Sequence, residues 1–149
     1  MPPTPWDVTT RAAALLGGAK SLRKVPNTPM DWLYLIREGI PTVALDSLGV
    51  NVHATNDERA QMLGISVRAL AWRRHKGILS PCESERLFRL AMVITRTEDV
   101  FGNLVNALAW LKDPNISLGG VIPIALLDTQ IGTELVTDVL GRIEYGIVV

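Results

Sequence analysis

Between Ser66 and Gly77 the sequence reads "SVRALAWRRHKG", which gathers Arg68, Arg73, Arg74 and Lys76 within nine residues and sets Trp72 and His75 among them. The chemistry open to such a set is non-covalent. Guanidinium and ammonium groups bind phosphate oxygens, and arginine also reads guanine edges. The stretch contains no acid that would neutralise these cations locally. Two readings fit: the cluster meets nucleic acid, or it is the solvated face of a helix. A tryptophan beside arginines favours a partner surface, and that partner can equally be a protein. One module making a few phosphate contacts binds weakly, so DNA binding would call for a dimer or larger assembly.

Other chemistry is sparse. His53, His75 and Cys82 show no paired ligand spacing, so no metal site is expected. Surface histidines and a small, buried or half-buried cysteine account for them. Cys82 is the only cysteine, which excludes an intramolecular disulfide and suits a reducing, cytoplasmic setting. The paired glycines of "SLGGVIP" lack the Lys-Ser/Thr sequel of a phosphate loop and read as a tight turn before Pro123. Glu83 fits a helix cap and Glu85 fits solvent. No nucleophile with a base and an orienting group is legible, so no catalytic residue and no cofactor is assigned, and an enzyme is not expected.

The elements that must position the basic cluster are helical. Of the 149 residues 48% are hydrophobic and only 5% aromatic, a composition that favours packed helices over a β-sandwich. The formal net charge is zero, but Met1–Leu79 holds 10 Lys+Arg against 6 Asp+Glu (+4) and Ser80–Val149 holds 5 against 9 (−4). Such polarity suggests different partners for the two halves. No apolar run approaches the ~18–20 residues of a membrane span, and the N-terminus does not read as a secretory signal.

Residues 1–28 include "WDVTTRAAALLGG", which can form a short helix ending at Gly17–Gly18, and "AKSLRKVPNTP", which reads as a basic linker. This segment is expected to be partly ordered at best. "PMDWLYLIREG" places Trp32, Leu35 and Ile36 at helical spacing. "PTVALDSLG" offers Val43, Leu45 and Leu48 for burial and ends at Gly49. The next helix starts at a Thr55/Asn56 cap, turns Ala60 and Leu63 inward and closes at Gly64. Ser66 caps the following one, whose Val67, Leu70 and Ala71 should face the core, with Arg74 extending the row and Arg68, Trp72 and His75 on another side. Two short helices joined by Leu-Gly-Ile-Ser form a helix-turn-helix pattern.

"SPCE" is a capping box, Ser80 to Glu83, with Pro81 at the first helical position. It should open a helix that buries Leu87, Leu90, Ala91 and Ile94 and leaves Glu83, Arg86 and Arg89 wetter. Thr97 is expected to cap a separate helix with Phe101, Leu104, Val105, Leu108 and Leu111 on its apolar side. The last helix spaces Ile131, Leu135, Val139 and Ile143 for burial. "IVV" then leaves an apolar strip that needs cover. The whole reads as an all-α chain of about eight helices.

The order of short motifs from about Gly39 onward resembles the Xre/MbcA/ParS antitoxins. The likeness rests on Leu-Ser-x-x-Glu-Ser-x-Arg-Leu at Leu79–Leu87, Val100-Phe101-Gly102, Ala109-Trp110-Leu111, Asn115-x-x-Leu118-Gly119-Gly120 with Pro123, Thr129 ahead of Ile131-Gly132, and Leu140-x-Arg142-Ile143-x-x-Gly146. It covers more than half the chain and leaves the first 28 residues unmatched. It implies a helix-turn-helix (Xre-like) domain at 29–79, followed by a small helical toxin-binding domain at 80–149. The implied partner is a RES-domain toxin that attacks NAD, its active site covered by the antitoxin. Arg142, Glu144, Tyr145, Gly146, Ile147, Val148 and Val149 would approach the toxin's NAD pocket. Ser66, Arg68, Trp72, Arg73, Arg74 and Lys76 would serve operator DNA, with a homodimer and a higher-order toxin complex expected. The competing reading is a stand-alone helix-turn-helix repressor with no toxin partner.

Overall fold

A computed structural model of the protein describes residues 5–146, with side chains from Val8 onward. Among these residues the chain forms nine α-helices, two 3-10 turns and no strand, only two isolated bridges. The helices are α1 (Pro5–Leu15), α2 (Gly18–Leu22), α3 (Pro29–Glu38), α4 (Thr42–Asn51), α5 (Asn56–Met62), α6 (Val67–Lys76), α7 (Pro81–Phe101), α8 (Leu104–Leu111) and α9 (Gln130–Glu144). The 3-10 turns at Ile116–Leu118 and Pro123–Leu126 separate α8 from α9. No helix among the described residues is long and apolar enough to cross a membrane.

The chain divides into two compact units, residues 1–92 and 93–149, with the division inside α7 rather than at the Leu79/Ser80 turn. In the first unit, Leu45, Leu48, Leu63, Leu70, Leu87 and Leu90 are fully buried. Polar groups hold this core in register. The Ser84 hydroxyl accepts from the Ile40 N–H at 2.7 Å, and the Leu79 N–H donates to the Ile40 carbonyl at 2.9 Å. Trp32 of α3 packs on Phe88 of α7, ring centroids 4.5 Å apart.

The N-terminal segment departs from its expected partial order. α1 and α2 pack on α4, and Ala12, Leu16 and Leu22 are buried. Each buried leucine contributes roughly 1.5–3 kcal/mol, which helps offset the cost of ordering a segment whose composition looks like a linker. Gly49 does not end α4. It lies inside the helix, where a Cβ would run into the Arg59 guanidinium. Val43 is exposed, whereas Leu45 and Leu48 are buried as spaced.

α7 opens on the expected capping box: the Ser80 hydroxyl accepts from the Glu83 N–H (3.2 Å) and the Glu83 carboxylate from the Ser80 N–H (2.9 Å). Leu87, Leu90, Ala91 and Ile94 are all fully buried. Thr97, however, is not a cap. It is buried within α7, and its hydroxyl donates to the Val93 carbonyl at 2.7 Å. The helix breaks at Gly102, and Asn103 caps α8 by accepting from the Asn106 N–H at 2.8 Å. Glu83 and Arg89 are not on wet faces either, their side chains being 8% and 13% exposed. Cys82 is exposed, not half-buried.

In the second unit the core is Ile94, Ala107, Leu108, Leu111, Leu127, Val136, Val139 and Leu140. Val105 lies outside it, exposed. Asn115 closes the glycine turn: its carbonyl accepts from the Gly120 N–H at 2.8 Å and its side chain from the Ser117 N–H at 2.9 Å. Thr129 caps α9 by accepting from the Gly132 N–H at 3.0 Å. Gly132 then allows α9 to lie against the second 3-10 turn, since a Cβ would collide with the Leu126 carbonyl.

Candidate nucleic-acid and partner interfaces

The corner between α5 and α6 follows from local chemistry. Thr55 and Glu58 form a capping box at the start of α5 (3.2 and 3.0 Å). Gly64, at φ +69, reverses the chain in a conformation that an L side chain adopts only under strain, and the Ile65 N–H reaches back to the Ala60 carbonyl at 3.1 Å. The Arg86 guanidinium, from α7, donates to the Leu63 carbonyl at 2.8 Å and ties down the end of α5. Ser66 then caps α6 by accepting from the Ala69 N–H at 3.0 Å.

α6 presents its cations differently from the expected arc. Of the residues expected to face the core, only Leu70 is buried, and Val67 and Ala71 are exposed. Arg73 and Arg74 turn to acids on other helices. Arg73 Nε donates to Glu83 at 2.9 Å, so the buried Glu83 carboxylate serves both the α7 cap and α6. Arg74 donates to Asp46 of α4 at 2.8 Å and also to Asn56. Asp46 in turn receives Arg59 at 3.1 Å, which joins α4, α5 and α6 at one carboxylate. Two of the four cations are therefore neutralised, by acids on other helices.

What stays exposed is a second set. Arg68, Trp72, His75 and Lys76 recur at i, i+4, i+7 and i+8 on the outer face of α6. Trp72 is 55% exposed, stacks with His75 at 5.9 Å and lies under the Lys76 ammonium at 5.0 Å. These side chains form a cationic surface around an aromatic plate, suited to phosphates and groove walls. Arg68, Trp72 and Lys76 of this set are among the residues expected from the sequence to serve DNA; His75 is not. Sequence reasoning missed Glu83 and Asp46 as the acids that hold Arg73 and Arg74, and Arg59 as a second cation on Asp46. The one signal for Arg59 was Gly49, a glycine in mid-helix that marks close approach of another group.

In the second unit, the residues expected at the partner surface sit at the end of α9. Arg142 pairs with Asp138 one turn back (2.9 Å), and Glu144 with Arg96 of α7 (3.3 Å). Tyr145 is 80% exposed, and Gly146 follows at φ +70. Ile147, Val148 and Val149 lie outside the described residues. The buried side of α9 is displaced from the expected one. Gly132, Thr133, Val136, Val139 and Leu140 face inward, and Ile131 and Leu135 are exposed. Among the described residues no three His, Cys, Asp or Glu side chains come together as metal ligands would.

Two family models cover most of the described chain. Residues 31–92 match the antitoxin Xre-like helix-turn-helix domain. Residues 96–146 match the antitoxin Xre/MbcA/ParS C-terminal toxin-binding domain. Among curated proteins, Antitoxin Xre of Yersinia enterocolitica is 34% identical over 114 residues, covering 75% of this chain and 77% of that protein. Antitoxin Xre of Photorhabdus laumondii is 33% identical over 116 residues, covering 76% and 78%. Antitoxin Xre of Pseudomonas putida is 41% identical over 64 residues, covering 43% and 40%. The first unit carries the helix-turn-helix corner and the second the domain ending in α9, and with these matches the chain belongs to the Xre family of antitoxins, proteins of toxin–antitoxin systems.

Proposed function

We propose that this antitoxin neutralises a RES-type, NAD-degrading toxin by binding it and occluding its active site, and that it represses its own operon as a dimer. It acts by binding and not by turnover. The observation that carries the first part is the toxin-binding match over 96–146, which ends where Arg142, Glu144 and Tyr145 stand exposed on the last turn of α9 and beyond it. Residues 142–149 would approach the toxin's NAD pocket. The product of the neighbouring gene, purified in complex with this chain, gives the test. Removal of Gly146–Val149 should restore NAD consumption while the complex still elutes as one species. Inhibition that survives this removal overturns occlusion by the terminal segment.

The DNA part rests on the outward set of α6. Arg68, Trp72, His75 and Lys76 would meet the major groove, with Ser66 fixing the helix start; Arg73 and Arg74 would support that helix through Glu83 and Asp46. Two copies related by a dyad, and a higher-order complex with toxin, would supply the contacts that one copy lacks. The exposed cationic face of α6 also suits a repressor without a toxin. That reading gains if the neighbouring gene product neither binds the chain nor consumes NAD.

A further inference from the structure

α9 carries an apolar ridge that its own unit does not cover. Ile131 is 72% exposed and Leu135 51% exposed, although the sequence spaces both as if for a core. Continuing at helical spacing, the same face presents Asp138, Arg142 and Tyr145. Beside it runs a shallow groove floored by the small residues Thr133, Thr137 and Gly141 and edged by Glu134 and Arg142. Ridge and groove together extend about 21 Å along the helix, enough to centre an interface of standard size, roughly 800 Å² per partner.

Resting on the reading above, we infer that the α9 ridge is the principal affinity surface for the toxin, separate from the terminal segment that blocks its active site. The ridge lies wholly inside the toxin-binding match and reaches Tyr145. Its charge says what it meets. Beside the ridge Asp138 and Arg142 pair with each other and Glu134 adds an exposed acid, and residues 93–149 carry 3 Lys+Arg against 7 Asp+Glu. The complementary surface is an apolar trough with a cationic rim, entered by one helix face. A second copy of this chain fits less well, because self-packing sets excess acid against excess acid.

The test uses residues 1–149 and the product of the neighbouring gene as toxin, with kinetics by surface plasmon resonance. Ile131→Ala/Leu135→Ala should weaken binding by about 30-fold or more, mostly through faster dissociation. Its melting temperature should hold, because both side chains are exposed. Val105→Ala, at an exposed position on α8, should bind like the parent chain. Removal of Gly146–Val149 should cost less affinity than the ridge variant while releasing activity. Unchanged affinity in the ridge variant, with inhibition still dependent on Gly146–Val149, overturns the inference and leaves occlusion standing. A chain that self-associates through the ridge, becoming monomeric as Leu135→Glu with toxin affinity intact, assigns the ridge to a second copy and also overturns it. No binding of the parent chain to the toxin defeats the occlusion reading, and the inference falls with it.

Discussion

α6 and α9 both leave much of their surface outside their cores, and what they leave outside is opposite. On α6 a single side chain, Leu70, is fully buried, and the outer face is Arg68, Trp72, His75 and Lys76. On α9 five residues face inward, and the outer face still carries Ile131 and Leu135 with Glu134, Asp138 and Arg142 around them. The same polarity extends to the units. Residues 1–92 hold 12 Lys+Arg against 8 Asp+Glu (+4), and residues 93–149 hold 3 against 7 (−4). A cationic face with one aromatic plate suits a charged lattice, where binding falls steeply with salt. An aliphatic ridge edged by acids suits a shaped protein surface, where buried area sets the dissociation rate. One antitoxin chain can therefore serve two partners without their competing for one surface.

The largest expected effect breaks one side of this contrast by geometry alone. Gly132→Ala adds a Cβ against the Leu126 carbonyl, a backbone atom that cannot swing away as a side chain would. α9 must shift off the 3-10 turn, at a cost of about 3 kcal/mol or more, because the clash is with backbone. Toxin capture should fall with the loss of α9 packing, while operator binding, proposed for α6, should persist. Thermal unfolding and a gel-shift titration of the same preparation check both halves. Loss of both activities would mean that the units do not divide the work.

The next effect is smaller and separates two kinds of cation on α6. Arg73→Ala removes the partner of Glu83, a carboxylate that stays buried with only the α7 N-terminal turn to satisfy it. The expected cost is about 1–3 kcal/mol of stability, in the range for a buried charged group that loses a hydrogen bond. Arg68→Ala and Lys76→Ala touch no ion pair shown for the described residues. Each should leave the melting temperature in place, weaken operator binding and reduce the slope of log affinity against log salt by about 1. Equal melting shifts in all three variants would erase the distinction.

The sequence carried the local half of this contrast. The capping boxes at Thr55 and Ser80, the cap at Ser66, the glycine at the α5–α6 corner and the buried stripe of α7 all depend on residues within a few positions of one another. Its failures were long-range. Nothing near Arg74 announces Asp46, 28 positions earlier. Arg73 and Glu83 are close in sequence, but they belong to different helices, and Glu83 was already accounted for by its cap. The spacing of Ile131 and Leu135 marks an apolar face correctly and does not say whether the cover comes from this chain or another. Thr97 looked like a cap because threonine before Glu and Asp usually is one. In α7 its hydroxyl turns back to Val93 and the helix runs on to the glycine at 102.

The smallest expected effect tests how independent α3 is of both surfaces. The Asp31 carboxyl lies below its ordinary value of 3.8, chiefly because the Asn27 backbone N–H donates to it at 2.9 Å, with Thr28 and the charge of Lys24 adding to this. A carboxylate whose folded pKa is depressed stabilises the fold above its unfolded pKa, and that contribution fades as pH falls through the folded value. The window is therefore acidic, beginning near pH 4 and extending below it. Amide exchange at Asn27 and Thr28 should quicken there as the α3 cap loosens. Asp31→Asn should show the quicker exchange already at neutral pH and lose the acid dependence. Amides of α6 and α9 should not follow this titration, because the group sits exposed at the start of α3 and its hydrogen bonds reach back only to Asn27 and Thr28. An acid transition at pH 4 shared by Asn27, the α6 corner and the ridge would mean that one cooperative event, and not the local cap, is being titrated.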